Sequence, residues 1–494
     1  MNTRVAIIGA GFSGLSAACE MASKGYETHV FEKHNQPGGR ARAFQTQGFT
    51  FDMGPSWYWM PEIFDEFFQT YGFQRGDFYE LVRLNPSYRV FFEKYELDVP
   101  ASVEELGDKL EIIEPGAKQN LKRFLEEAKF KYETGMGEFV WKPSLSPAEY
   151  LDMRLLKAGI KIQLFSSVSN HIKKYFKHPH IVQLLEFPVL FLGAKPEKTP
   201  ALYSMMNYAD LELGTWYPMN GMTEIPKAME QVAKKLGVQF HYNETVQKIN
   251  TVNNRVHGLT SNDKFHEFDA VLAASDYHHV ETNLIEKEQQ SYSQKYWDSR
   301  TLSPSSLLFY LGFSKKIPNL LHHNLFFDSD FKQHAVEIYD TQEWPSNPLF
   351  YVCVPSKTDT TVAPENHENV FVLIPAAPGL SSTEEDRQKY LDMVIDRLEQ
   401  RTHTSLREHL IYQKSFAHEE FISEYNSFKG NAYGLANTLT QTAFLKPKLK
   451  SKKIKNLYYA GQLTVPGPGM PPSIISGKLA ANLIHKSFTN AVAV

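Results

Sequence analysis

The chain has 494 residues, 42% of them hydrophobic and 22% charged, with a formal net charge of -4 and a pI near 6.5. Such a length predicts more than one domain, each able to bury its own core, and the charge leaves no footprint for a nucleic-acid partner. Two cysteines, Cys19 and Cys353, occur without a CxxC or any metal-ligand spacing, which fits a reducing compartment and excludes disulfide frameworks, zinc ribbons and thiolate-bound iron–sulfur clusters.

The first run, RVAIIGAGFSGLSAACEMASKGYETHVFEK, has the basic start and apolar stretch of a signal peptide, but it is too rich in glycine and leads into an amphipathic pattern. It fits a dinucleotide-binding strand–turn–helix–strand unit instead. A strand over Val5 to Ile8 feeds the turn Gly9-Ala10-Gly11-Phe12-Ser13-Gly14; a helix with Leu15, Ala18 and Ala22 on one face ends near Gly25; a second strand, Thr28 to Phe31, closes on Glu32 with Lys33 beside it. Gly9 makes the tight turn, Gly11 admits a pyrophosphate to the backbone, and Gly14 lets helix pack on strand. The free N–H groups and dipole of the helix N-terminus favour the phosphates, while Glu32 is placed to accept hydrogen bonds from a ribose and its charge argues against a 2′-phosphate.

A second small-residue turn follows, Gly38-Gly39-Arg40 with Arg42, and then Asp52-Met53-Gly54-Pro55-Ser56. Two arginines after such a turn suit pyrophosphate charge, and a simple NAD dehydrogenase has no use for this extra loop, so the combination points to FAD. Strand-GxGxxG-helix-Glu, then GGR, then D-x-GP resembles the FAD-binding amine oxidase and carotenoid desaturase superfamily. Further along, LGTWYPMNGMTEIPKAMEQVAKKLGVQFHYNETVQKI looks like that family's return to the cofactor domain, which implies that the Val246 backbone meets the adenine. KGNAYGLANTLTQTAFLKPK is similar to a second return. Near the C-terminus, Gly461-Gln462 and Gly469-Met470-Pro471-Pro472-Ser473 look like the last FAD-binding motif, and bacterial-type phytoene desaturases match best, essentially end to end. Two departures are Gln462, where relatives often carry an acid or a small residue, and Pro471-Pro472, where they carry Pro-Gly.

The implied fold class is α/β: a discontinuous Rossmann-like FAD-binding domain (residues 1–90, 213–290 and 441–494), a helical substrate and membrane-associated region (91–212), and a substrate-binding sheet domain (291–440), the two insertions together making an α+β substrate domain. The residues themselves support parts of this. Ile474, Ile475, Leu479, Leu483 and Ile484 fall at helical spacing from about Ser473, so a free helix N-terminus would face the ligand of the PGPGMPP turn and favour negative charge on reduced flavin. SSLLFYLGF, PLFYVCV and NVFVLI read as strands. LLEFPVLFLGA is about half a membrane span and holds Glu186 and Pro188, so no transmembrane helix is expected.

Met153 to Leu185 contains no acid, and Arg154, Lys157, Lys161, Lys173, Lys174 and Lys177 alternate with apolar side chains. This reads either as a membrane-surface helix pair suited to extracting a lipid-soluble substrate, or as a solvated face over a core. Trp57, Tyr58 and Trp59 either line a substrate tunnel or belong to the core. HEEFI lacks the second histidine of HExxH, the pairs His278-His279 and His322-His323 have no ligand spacing, and no GxSxG elbow occurs, so neither a metal nor a nucleophile is assigned, and no catalytic residue is named. No cysteine follows Cys353, so FAD is expected to be noncovalent.

The resemblance implies an FAD-dependent carotenoid desaturase, first of all a phytoene desaturase acting stepwise toward lycopene by hydride transfer to flavin N5. An unactivated hydrocarbon has no carbonyl to acidify its C–H bond, so hydride leaves first or together with the proton, and an apolar tunnel matters more than a strong base. The implied partners are a lipophilic carotenoid, a peripheral membrane surface, and oxygen or a quinone as electron acceptor; the implied location is cytoplasmic, on the inner face of the cell membrane. A hydroxycarotenoid 3,4-desaturase, another polyene oxidoreductase or a carotene isomerase are the alternatives within the family. An amine or porphyrinogen oxidase is the alternative of a different class, and a noncatalytic flavin carrier is another.

Overall fold

The computed structural model describes residues 3–150, 166–190, 193–438 and 440–492. Its centre is a parallel five-stranded sheet in the order Leu457–Tyr459, Ala270–Ala273, Arg4–Ile8, Glu27–Glu32, Gln239–Tyr242. The beginning, middle and end of the chain each supply strands to it. Leu457–Tyr459, Ala270–Ala273 and Arg4–Ile8 are almost wholly apolar and buried, as a sheet covered on both faces requires, whereas the edge strand Gln239–Tyr242 is partly exposed. The helix Phe12–Ser23 lies on the sheet and packs closely on the C-terminal helix Met470–Val492. At their crossing, a Cβ added to Gly477 would stand 2.1 Å from the Ser13 carbonyl oxygen, so only glycine permits this approach.

A second sheet has seven strands, in the order Leu410–Phe416, Ser305–Phe313, Glu368–Ala376, Phe350–Cys353, His323–Phe327, Tyr88–Phe92, Glu96–Val99. Its pairs are antiparallel except Tyr88–Phe92 with His323–Phe327. The three β-like runs read from the sequence are all strands here. The boundary expected at residue 90 falls inside the strand Tyr88–Phe92, whose partner is a strand of the later insertion. A short apolar strand carries no local mark of so distant a partner.

Between these two strand groups in sequence lie the helices Val103–Ile113, Ala117–Thr134, Val168–Tyr175, Pro179–Leu190 and Met205–Leu211. Ser102 and Ser167 cap the first and third of them, each accepting a backbone N–H from the first turn (Glu105 at 3.3 Å, Asn170 at 3.1 Å). One core joins this helical layer to the seven-stranded sheet: Phe124, Ile172 and Phe187 belong to the same buried cluster as Tyr88, Tyr351 and Phe371. Of the basic segment, Arg154, Lys157 and Lys161 lie outside the described residues, whereas Lys173, Lys174 and Lys177 are exposed while Val168 and Ile172 face the core. Among the described residues no helix is long and apolar enough to cross a membrane.

Candidate functional site

The two sheets meet at a cavity of about 1000 Å³, at the top of the ~300–1,000 Å³ range of small-molecule sites. One end is built from turns. Gly9 holds φ +101°, and its N–H donates to the Phe31 carbonyl (2.8 Å). The helix then starts at Phe12 with Gly11 in the cap position and no side chain capping it, so the N–H groups of its first turn are left to whatever fills the cavity. A Cβ on Gly11 would meet nothing within 4 Å, whereas one on Gly14 would stand 1.9 Å from the Gly9 oxygen. Gly11 thus opens on the cavity, and Gly14 sets the packing behind it.

Glu32 accepts the N–H of Ala10 (2.8 Å) and of His34 (3.0 Å), which fixes its carboxylate at the cavity edge. Gly38, at φ +115°, donates its N–H to the Ala10 carbonyl (2.8 Å), and this docks the second turn on the first. Arg40 lines the cavity; its Nη2 donates to Ser427 Oγ (2.5 Å), its guanidinium lies 5.0 Å from the Tyr425 ring centre, and its Nε is buried without a partner. Lys33 lines the wall too, with Nζ donating to the Ser423 carbonyl (2.7 Å), and burial lowers its pKa.

Of the residues singled out in the sequence, Gly9, Gly11, Phe12, Ser13, Glu32, Lys33, Gly38, Gly39, Arg40, Met53, Gly54, Pro55, Ser56, Val246, Gly461, Gln462, Gly469, Met470, Pro471, Pro472 and Ser473 line this one cavity. Three do not. Ala10 and Gly14 act from behind it, through the backbone contacts just described. Arg42, expected beside a pyrophosphate, stands just behind the wall, held by two residues that do line the cavity: its Nη2 pairs with Glu424 Oε2 (2.8 Å), and its Nε donates to the Gly39 carbonyl (3.1 Å). Glu424 lies so far along the chain that the pairing left no trace in the local pattern.

The C-terminal turn closes the same end. Gly461, Gly467 and Gly469 all have positive φ, and Gln462 Nε2 donates to Asn431 Oδ1 (3.1 Å). The N-termini of both packed helices therefore face the cavity: the first offers free N–H groups to negative charge, and the second, whose Pro471 and Pro472 carry no N–H, adds its dipole. Sequence reasoning missed Ser275 and Asp276, which follow the buried strand Ala270–Ala273 at the cavity wall. Asp276 accepts N–H bonds from His279 (3.1 Å) and Phe428 (3.3 Å), and burial raises its pKa. An apolar run ending in Ser-Asp, just where a strand meets a helix, was the available signal.

The other end is apolar and aromatic. Trp57 and Trp59, tilted on each other at 5.3 Å, are both lining and core: Trp57 also stacks on His323 (4.2 Å), and Trp59 Nε1 donates to Thr215 Oγ1 (2.8 Å). Leu308, Phe371 and Leu373 from the seven-stranded sheet continue this wall. Burial holds the phenols of Tyr351 and Tyr433 there in their protonated form.

Residues 12–485 match the family described as flavin containing amine oxidoreductase. The chain is 38% identical to a carotenoid 3,4-desaturase of Haloarcula japonica, over 97% of both chains. It is 30% identical to a zeta-carotene-forming phytoene desaturase of Myxococcus xanthus, over 96% of this chain and 92% of that one. The chain belongs to the flavin containing amine oxidoreductases, in their carotenoid desaturase branch. It is an FAD-dependent oxidoreductase. Cyclohexylamine oxidase from Brevibacterium oxydans shares the fold, with a TM-score of 0.60 at 13% identity over 99% of this chain and 100% of that one.

Proposed function

We propose that this chain desaturates carotenoids, holding an elongated polyene in the apolar end of the cavity beside FAD held at the glycine-rich end. The observation that carries this reading is the continuity of the cavity, which runs from two uncapped or glycine-opened helix N-termini to the tryptophan and sheet-borne wall. The cofactor end suits FAD: Gly11 leaves open space where a side chain would stand, Arg40 Nε is buried without a partner, and Glu32 is fixed where a ribose would lie. Gly9, Gly11 to Ser13, Glu32, Gly38 to Arg40, Met53 to Ser56, Val246, Gly461, Gln462 and Gly469 to Ser473 would hold it. Residues 1–90, 213–290 and 441–494 form its domain on this reading, apart from the strand Tyr88–Phe92, which joins residues 91–212 and 291–440 in the substrate body.

Bound FAD supplies the hydride acceptor. The chain's own residues align and shield the substrate: Trp57 and Trp59 offer ring faces to a polyene on which positive charge develops, and the packed wall keeps water from it. The buried phenols stay neutral and supply no strong base, as befits a substrate with no acidic C–H bond. Reoxidation by oxygen or a quinone, and docking on the inner face of the cell membrane through the basic segment, complete the reading.

Co-expression with a phytoene-producing pathway tests it, because each added double bond lengthens the chromophore and moves its absorption to longer wavelength. Unchanged pigment from a flavin-loaded enzyme would refute phytoene desaturation. The similarity to the Haloarcula protein favours a second substrate, a carotenoid desaturated at its 3,4 position. Feeding hydroxylated lycopene-type carotenoids in the same cells separates the two. Trp57→Leu is expected to keep its FAD and lose most of its turnover; full turnover would remove Trp57 from the substrate wall.

A further inference from the structure

Behind the wall of the cavity, His322, His323 and Cys353 meet in the interior, 4%, 0% and 2% exposed. One ring nitrogen of each histidine and Cys353 Sγ lie within 4.8 Å of one another. The strands Phe350–Cys353 and His323–Phe327 create the meeting, with His323 opposite Cys353 in the antiparallel register. Val354 N–H donates to the His322 carbonyl (2.8 Å) and holds the second histidine alongside. No spacing in the sequence announces three ligands taken from two distant stretches.

The hydrogen bonds of the two imidazoles are alike. Nδ1 of His322 bonds Thr358 Oγ1 (2.8 Å), and Nδ1 of His323 bonds the Tyr351 hydroxyl (2.6 Å). The Tyr351 hydroxyl also bonds Ser56 Oγ (2.9 Å) and the Cys353 thiol, and in the tautomer that places the proton on His323 Nδ1 the Nε2 of that ring keeps a bare lone pair. Nε2 of both histidines is buried without a hydrogen-bond partner. Buried polar atoms rarely stay unpaired, and two of them in adjacent residues beside a thiol need a reason. A ring fixed through one nitrogen by an outer hydrogen bond, with the other nitrogen bare, is the form in which histidine ligates metals. Next to them, His322, Cys353 and Asp52 line a separate small void of about 10 Å³, room for roughly one water-sized guest.

We propose that His322, His323 and Cys353 form a structural zinc site, with the Asp52 carboxylate contributing its charge from the same void. Neutral imidazoles and a thiolate are a borderline-soft donor set that suits Zn²⁺. Thiolate and carboxylate together cancel the two positive charges, so the buried assembly is neutral. Ligand atoms around one tetrahedral zinc stand roughly 3.3–3.8 Å apart, given Zn–N of about 2.0 Å and Zn–S of about 2.3 Å. From 4.8 Å the ligand atoms need close by about 1.0–1.5 Å to reach that spacing. On binding, the Cys353 S–H bond breaks, a Zn–S bond forms, and the proton passes to solvent. The metal would brace the cavity from behind, because His323 stacks on Trp57 and Tyr351 holds Ser56, both of which line it.

The test uses the full-length, FAD-loaded protein, produced in zinc-supplemented medium, desalted and assayed for metals by plasma mass spectrometry. The expected result is about one zinc per chain in the wild type, falling at least ~10-fold in Cys353→Ala and in His322→Asn while flavin absorbance is retained. A second measurement needs no variant: zinc chloride added to chelator-stripped wild type in weak buffer should release about one proton per zinc bound. Wild type that neither retains zinc nor releases protons, variants that keep full zinc with their flavin, or copper found in zinc's place would each overturn the assignment.

Discussion

Replacing Gly477 by alanine probes the joint on which the cofactor end rests. The new methyl would stand 2.1 Å from the Ser13 carbonyl oxygen and 3.0 Å from the Ala17 nitrogen, where ordinary contact begins near 3.4 Å. Both neighbours are backbone of the helix Phe12–Ser23, so no rotamer can relieve the clash, and the two helices must separate by about 1.3 Å. Separation also weakens the buried bond from Ser16 Oγ to the Ile474 carbonyl (2.7 Å). Overpacking of this kind costs about 1–3 kcal/mol, and the strained hydrogen bond adds about 1 kcal/mol. The displaced atoms include Ser13 and the turn at Gly461, both in the cavity wall, so FAD affinity should fall by ~10-fold or more. Flavin absorbance per chain after gel filtration, and titration of the apoprotein with FAD, read the effect. Gly76→Ala serves as control, since a Cβ there meets nothing within 4 Å. A Gly477→Ala protein with wild-type affinity and melting temperature would refute the reasoning that close helix approach sets the cofactor end.

Glu32→Gln places an amide where both oxygens now accept backbone N–H groups, so one of those bonds turns repulsive; FAD affinity should drop ~10-fold, measured by the same titration, while the thiol content and sheet signature stay unchanged. Asp210 is 2% exposed, accepts from the Tyr88 hydroxyl (2.8 Å), and burial pushes its pKa up to about 7. Its unfolded counterpart ionises near 3.9, so folding takes up a proton between those values, and stability falls as pH rises from about 4 to about 7 at up to ~1.4 kcal/mol per unit. Asp210→Asn should lose that part of the slope in urea melts; an unaltered pH profile would mean that Asp210 is ionised in the folded state. Neutralising Arg154, Lys157, Lys161, Lys173, Lys174 and Lys177 together should abolish flotation with anionic liposomes at low salt and leave flavin content intact, whereas equal flotation would discard the membrane role.

Local chemistry made the cofactor end legible before any fold was known. A run of β-formers, glycines at a tight turn, a helix of period 3.6 and a closing acid are correlated within some thirty residues, and Gly9, Gly11, Ser13 and Glu32 line one cavity in the structure. The C-terminal turn was legible for the same reason, since Gly461 and Gly469 occupy conformations that other residues rarely adopt. Tertiary structure alone decided the rest. Glu424 pairs with Arg42 at the cavity wall, Gly477 meets Ser13, Tyr88–Phe92 pairs with His323–Phe327, and Cys353 reaches two histidines. Each of these depends on which distant surfaces pack together, and the side chains involved look unremarkable among their own neighbours, because burial and pairing energies attach to contacts in space and are silent along the chain.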